Sequence, residues 1–374
     1  MRRSVKISGT ADLPLHGGHV PPWLMERMKT MASAIVKVIV EDHGKRELLR
    51  RLGDPYWFQS LGCVLGFDWH SSGLTTVVTG ALREALSLDS HGVMAIGGKG
   101  GLGRKIPEKI SELDLSDSVV NELIRASRLT AKVDNAVLQD GYQIYHHIII
   151  FTEDGEWTVI QQGMNPELRY ARRYHWIGED VESFVVEPHS GIAGSRSEKL
   201  VLNMVSRESE EARKTSVDLV SENPSKLIRL VNLAINKQET LTAWIEKNVE
   251  ERISIPKHLN MPKRINWSAV RRAYDWRPRD YEELIEVKGL GPSTIRALAL
   301  ISALIYGARI DWRDPLKFSF AVGGKDGVPY PVSRRTYDRA IAFMRQILEA
   351  AEIEREEKKL ALKRLLNLER KLYG

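Results

Sequence analysis

A chain of 374 residues with 43% hydrophobic and 28% charged side chains has the size of two domains and the composition of a folded globular protein, which excludes a disordered or fibrous chain. Its single cysteine, Cys63, excludes an internal disulfide framework and a thiolate zinc cluster. No run of about eighteen apolar residues and no signal-like opening is present, so a cytoplasmic protein is expected, and the formal net charge of +6 suits a polyanionic partner.

In chain order, VKI reads as a short strand. PPWLMERMKTMASAIVKVIVEDHG reads as a helix opened by Pro21 and Pro22 and stopped by Gly44. GLTTVVTGALREAL is a second helix, with Ser71 or Ser72 placed to cap it, and GVMAI is a strand before a glycine-rich loop. YQIYHHIIIFTEDGEWTVIQQGM reads as a hairpin, because β-branched and aromatic runs flank Asp154-Gly155, a tight-turn pair. SFVVEP is a further expected strand. Beyond residue 205 the periodicity is helical: SRESEEARKTSVDLVSE, KLIRLVNLAINKQETLTAWIEKNVEERI, YEELIEV, TIRALALISALIYG and a long final helix from Arg334. The expected architecture is an α+β domain over 1–205 with a hairpin-containing sheet. An all-α domain over 206–374 follows it.

LIEVKGLGPSTIRALALI resembles a helix-hairpin-helix motif, spanning about 281–305. Gly289 and Gly291 permit a turn that presents backbone N–H groups at the start of the next helix to a phosphate, where the helix dipole also favours an anion. Lys288, Ser293 and Arg296 would complete a sequence-independent contact to nucleic acid, and Lys257, Lys263, Arg264, Arg271, Arg272, Arg277 and Arg279 make the surroundings basic. A plain glycine turn between packed helices is the alternative. The spacing is also similar to that of helix-hairpin-helix DNA glycosylases, and that resemblance implies roles for Ser293 and for Asp311 as a catalytic carboxylate. WRDPLKF after Asp311 departs from the glycosylase pattern, and the four cluster cysteines are absent.

Nine of the ten histidines precede residue 190, so hydrolytic chemistry is sought in the first half. GTADLPLHGGH supplies Asp12 and His16, and FDWHSSG supplies Asp68 and His70, two positions apart ahead of a helix start. A metal-assisted nuclease needs such groups to hold a divalent ion, Mg or Mn, and to activate water, so Asp68 and His70 are the expected metal and catalytic pair. His146 and His147 are adjacent on an expected strand and so point to opposite faces; each is as readily a structural histidine. GGKGGLGRK has the form GxGxxG, yet no acidic residue follows at the distance a dinucleotide fold uses; no nucleotide cofactor is expected. A phosphate-binding nest with Lys99, Arg104 and Lys105, or a plain mobile loop, remains. Arg172 and Arg173 in RYARRYHW, interleaved with aromatics, suit a nucleic-acid surface, or cation–π packing inside the fold.

GTADLPLHGG, FDWHSSG, QQGMN, RYHW, KGLGPSTIRALALISALIYG and DPLKFSFAVGGKDGVPYPV together resemble family 763 of the domains of unknown function, found in thermophilic archaea and some bacteria. The resemblance covers nearly the whole chain and implies a prokaryotic cytoplasmic protein with one shared architecture. It implies no chemistry. From the residues, three readings follow: a DNA-processing nuclease active in repair, a glycosylase using Asp311, or a non-catalytic DNA- or RNA-binding module. In the last, the leucine-bearing final helix serves a partner or self-association.

Overall fold

The computed structural model describes residues 20, 22–66, 73–168, 170–194, 196–235, 259–316, 318–319 and 334–373. Four helices open the fold: α1 (Pro22–His43), α2 (Lys45–Gly53), α3 (Pro55–Leu65) and α4 (Gly73–Ala85). As expected, α1 begins at a proline and ends at Gly44, whose φ of 87° lies in the left-handed region. Asp54 caps α3, its Oδ1 accepting from the Tyr56 and Trp57 amides, with Pro55 in the first turn. All eleven residues of α3 are buried.

After the short α5 (Leu88–His91) come β1 (Val93–Lys99), α6 (Gly101–Arg104), α7 (Ile106–Ser111) and α8 (Asp117–Lys132), which runs into a π turn over Val133–Val137. Six strands follow: β2 (Leu138–Gln139), β3 (Gln143–Thr152), β4 (Trp157–Asn165), β5 (Tyr170–Ile177), β6 (Gly191–Gly194) and β7 (Leu202–Asn203). The helical region then runs through α9 (Glu210–Ser221), α10 (224–235), α11 (Trp267–Trp276), α12 (Tyr281–Glu286) and α13 (Pro292–Tyr306). The two-residue β8 (Phe318–Ser319) precedes α14 (Arg334–Ala350) and α15 (Arg355–Tyr373). The main sheet has the order β1-β3-β4-β5-β6-β8, antiparallel from β1 to β6, with β8 joined in parallel. No helix among the described residues is long and apolar enough to cross a membrane.

Strict alternation on β3 splits the sheet between two cores. Ile148 and Ile150 join Val93, Ala95 and Ile160 under α1–α4. Ile149 and Phe151 join Val159 and Trp176 under α7–α9 and α11–α13. The β3–β4 hairpin forms as its sequence predicts, turning through Gly155 at a φ of 87° with Phe151 opposite Trp157.

Two expectations change. SFVVEP is not a strand: the Phe184 and Val185 amides donate to the Glu282 and Ser183 side chains, and Glu187 at φ 47° interrupts the extended path. The strand lies earlier, over RYARRYHW. Nor is residue 205 a boundary between cores, since Leu202, Met204 and Val205 pack with Ala212, Leu219 and Leu284. The last two helices fold back onto the first layer, where Ile341, Met344, Ile347, Ala361 and Leu365 bury against residues of α1–α4. The Arg364 guanidinium donates to the Val64 carbonyl at 3.0 Å, closing the C-terminal end of α3.

At Gly97 the chain admits no side chain. Its φ is 129°, and a Cβ there would stand 2.3 Å from the His147 carbonyl oxygen and 2.8 Å from the Ile148 Cα. Both are backbone atoms of the neighbouring strand, so Gly97→Ala must pry β1 from β3. It is expected to destabilise the fold by about 3 kcal/mol. Gly101→Ala, with nothing within 4 Å of its Cβ, is expected to stay within about 0.5 kcal/mol. The two urea midpoints measure the contrast.

Candidate nucleic-acid interface and a basic cleft

The α12–α13 turn is the first candidate. Asp280 caps α12 by accepting from the Glu283 amide, and Leu284, Ile285, Leu290 and Ile295 anchor both helices in the core. Gly289 takes a φ of 91°, and Gly291, in extended backbone, leads into α13 with Pro292 in its first turn. The turn's carbonyls are held by neighbouring side chains. Lys288 O accepts from Arg272 Nε and Nη2 at 3.1 and 2.6 Å, Gly289 O from Asn266 Nδ2 at 3.0 Å, and Leu290 O from Lys132 Nζ at 2.6 Å. The amides of Gly289, Gly291 and Ser293 make no hydrogen bond among the described residues. Lys288 and Gly289 are exposed, and Trp276, 53% exposed, borders the same hollow as Lys288. A fifteen-residue helix thus begins at a rigid turn with open donors beside a lysine.

Arg296 does not belong to that surface. Its Nε donates to the Asn260 carbonyl and its Nη1 to Gln139 Oε1, both at 2.8 Å, so it ties α13 to β2, and burial lowers its pKa. Asp311 is likewise committed. Its backbone bridges Asn203, and its Oδ1 accepts from the Arg313 amide at 3.0 Å and from Arg313 Nε at 2.9 Å. Burial alone would push this carboxyl up; the bonds from Arg313 and Ser206 outweigh it and hold it below the usual range. A glycosylase carboxylate facing a base pocket is not what these contacts describe.

Asp12, His16, Asp68 and His70 lie outside the described residues. Among the described residues no group of three or more His, Cys, Asp or Glu side chains is arranged to hold a metal ion.

The expected surface role of Arg172 and Arg173 gives way to burial. Arg172, fully buried, donates from Nη1 to Asp140 at 2.8 Å and from Nη2 to Asp314 at 2.7 Å, and its guanidinium lies 4.5 Å from the Tyr142 ring centroid. Arg173 lies on the opposite face of β5, where it donates to Gln59 at 2.9 Å, to the Pro55 carbonyl at 3.3 Å and to His175 Nε2 at 2.7 Å, 4.7 Å from the Phe58 centroid. These guanidiniums replace water with fixed acceptors and aromatic faces. Cation–π packing inside the fold, one of the two sequence readings, is what the strand uses.

The glycine-rich loop builds the second candidate. Gly97, Gly98 and Gly100 all have positive φ, and Gly103 closes against the Gly98 carbonyl, so the chain doubles back after β1. Between this loop, the N-terminal end of β3 and α8 lies a cleft of about 770 Å³. Lys99, Arg104 and Arg128 line it, with Ser127, Asn135, Tyr145 and His147 as further polar groups and Pro107, Ala131 and Ile144 as apolar wall. No acidic residue lines it, and none of the three cations forms an ion pair among the described residues. Lys99 Nζ sits 5.8 Å from the Tyr145 centroid. His147 Nε2 lies 2.8 Å from Ser127 Oγ, and burial lowers its pKa to about 4, so it is neutral at pH 7. On the other face His146 Nε2 meets Thr79 Oγ1 at 2.9 Å.

The sequence shows the loop and its lysine but not Arg128, Ser127 or Asn135. These come from α8 and the π turn, brought over the loop by packing alone; a π turn, a frequent companion of functional sites, leaves no spacing signal in VDNAV.

No curated protein and no solved structure matches the chain. The model of one family, described as a protein of unknown function (DUF763), matches residues 9–332, and the chain belongs to that family.

Proposed function

We propose that this protein binds nucleic acid by its sugar-phosphate backbone, with the α12–α13 turn acting as a helix-hairpin-helix. The observation that carries the reading is the turn's division of labour. Its carbonyls are bound by the Arg272, Asn266 and Lys132 side chains, while the Gly289, Gly291 and Ser293 amides stay open beside exposed Lys288. Amides and a lysine recognise phosphate oxygens and no base edge, so binding is sequence-independent and falls with salt. DNA is the favoured partner, with RNA as an arm of the test. Processing of the bound strand would be metal-assisted hydrolysis at Asp68 and His70 with Mg or Mn, in a repair setting.

Anisotropy of labelled single-stranded, duplex and branched DNA and of RNA tests this reading. Lys288→Glu is expected to weaken binding about tenfold on every sequence and to reduce the salt slope by about one. Equal affinity of wild type and Lys288→Glu at low salt would remove the turn from the reading. The same mixtures, incubated with and without chelator and with Asp68→Asn, report strand cutting. Cutting indifferent to both would sink the nuclease part.

A further inference from the structure

We propose that the cleft between the glycine-rich loop and α8 binds a nucleoside monophosphate group, its phosphate held by Lys99, Arg104 and Arg128 and its base by the apolar wall with Tyr145. This site is separate from the α12–α13 turn and does not depend on it. Charge argues first for a phosphomonoester. Three exposed cations converge on one cleft, no carboxylate lines it, and none of the three is neutralised by an acid among the described residues. On the adjoining α7 and α8, by contrast, exposed Lys109 and Arg125 are paired, with Glu112 and Glu282. A lining without carboxylates offers a divalent ion no hard oxygen charge. It offers a doubly charged phosphate three donors at once.

Size argues next for more than inorganic phosphate. A volume of about 770 Å³ falls in the range of organic-ligand pockets, and Pro107, Ala131, Ile144 and the Tyr145 ring give a flat ring system apolar contact. Asn135, exposed on the π turn, carries both a donor and an acceptor for a base edge. Neutral His147 behind Ser127 adds no charge, so at neutral pH the cations alone meet the phosphate. The loop itself is built to stay open: a Cβ added at Gly100 or Gly101 would meet nothing within 4 Å, while Gly97 and Gly103 are locked against β3.

The phosphomonoester has two sources to distinguish, a free mononucleotide and the phosphorylated end of a strand. Calorimetric titration of the full chain with adenosine and guanosine monophosphates, adenosine, inorganic phosphate, and short oligonucleotides ending in phosphate or hydroxyl separates them. Either the mononucleotides or the phosphate-ended oligonucleotides are expected to bind, at least tenfold more tightly than adenosine, inorganic phosphate or the hydroxyl-ended strand. Arg128→Ala and Arg104→Ala each weaken that binding about tenfold with an unchanged melting temperature, whereas Lys109→Ala, outside the cleft, has no effect. Binding of mononucleotides identifies the free source, and binding of phosphate-ended strands alone identifies the strand end. The proposal is overturned if no phosphomonoester binds, if inorganic phosphate binds as tightly as the nucleotide, or if the protein carrying both Arg104→Ala and Arg128→Ala binds like wild type. Backbone binding weakened by Lys288→Glu while mononucleotide binding is unchanged marks the two sites as independent.

Discussion

Acidification from pH 7 to pH 5 is expected to remove several kcal/mol of stability, before most carboxylates are protonated. Three buried imidazoles are the cause. Burial lowers the His146 pKa to about 3, helped by His147, Arg83 and Lys99; it lowers His147 to about 4 and His175 far below its usual range, the last also through Arg173. The geometry agrees. His175 Nε2 accepts from Arg173 Nε at 2.7 Å while Nδ1 faces the Leu52 carbonyl, an arrangement that only the neutral ring satisfies.

The sign follows from linkage. Folded pKa values lie below the unfolded value of about 6.5, so the unfolded chain binds more protons below that pH, and stability is full above about 6.5 and lost as pH falls. Each histidine contributes about 1.4 kcal/mol per pH unit until its folded pKa is reached, roughly 2 kcal/mol apiece at pH 5. Three together rival the net stability of a typical domain. Urea midpoints at pH 7.5, 6 and 5 measure the slope, and His147→Gln is expected to lower it by one proton. A flat profile over this range would contradict the assignment.

The second large effect is at Arg172. Replacing it by methionine leaves the Asp140 and Asp314 carboxylates facing each other without a cation, both buried. Tyr174 Oη donates to Asp140 at 2.7 Å, and the Glu198 amide to Asp314 at 2.6 Å, so these carboxylates also fix the loops around β5. Arg172→Met is expected to cost about 3–5 kcal/mol, the penalty for an uncompensated buried charge. Adding Asp140→Asn and Asp314→Asn removes that charge and is expected to recover at least about 2 kcal/mol. Denaturant titration of the four combinations supplies the cycle. No recovery would mean that shape at Arg172, and not charge, holds this corner.

Where one segment carried its own instructions, the fold was legible in the sequence. The β3–β4 hairpin was readable because Ile148 and Ile150 alternate with Ile149 and Phe151 before Asp154-Gly155. The α12–α13 turn was readable because Gly289 and Gly291 bracket Leu290 ahead of a long helix. β5 was not: Arg172, Arg173 and His175 are polar on both faces of a strand whose two faces are covered, and buried cations imitate an exposed basic patch. Lys99 was legible as a cation of the glycine loop, whereas Arg128 reaches the same cleft only because α8 packs on β3. The amphipathic stripe of α14 announces burial without naming its partner. That partner is the layer of α1–α4, some three hundred residues earlier in the chain for Arg364 and Val64.

This return of the last helices sets an order on folding during synthesis. The described core residues beneath α7–α9 and α11–α13 have all been synthesised by residue 310, so that side of the sheet can close before the chain is finished. The opposite side cannot, because Ile341, Met344, Ile347, Ala361 and Leu365 are still to be made. In that interval α3, buried along its whole length in the finished fold, has no cover from the C-terminal pair. Until they emerge, the part of PYWFQSLGCVL that they cover in the finished fold remains exposed apolar surface, and the last helices to be made are what buries it.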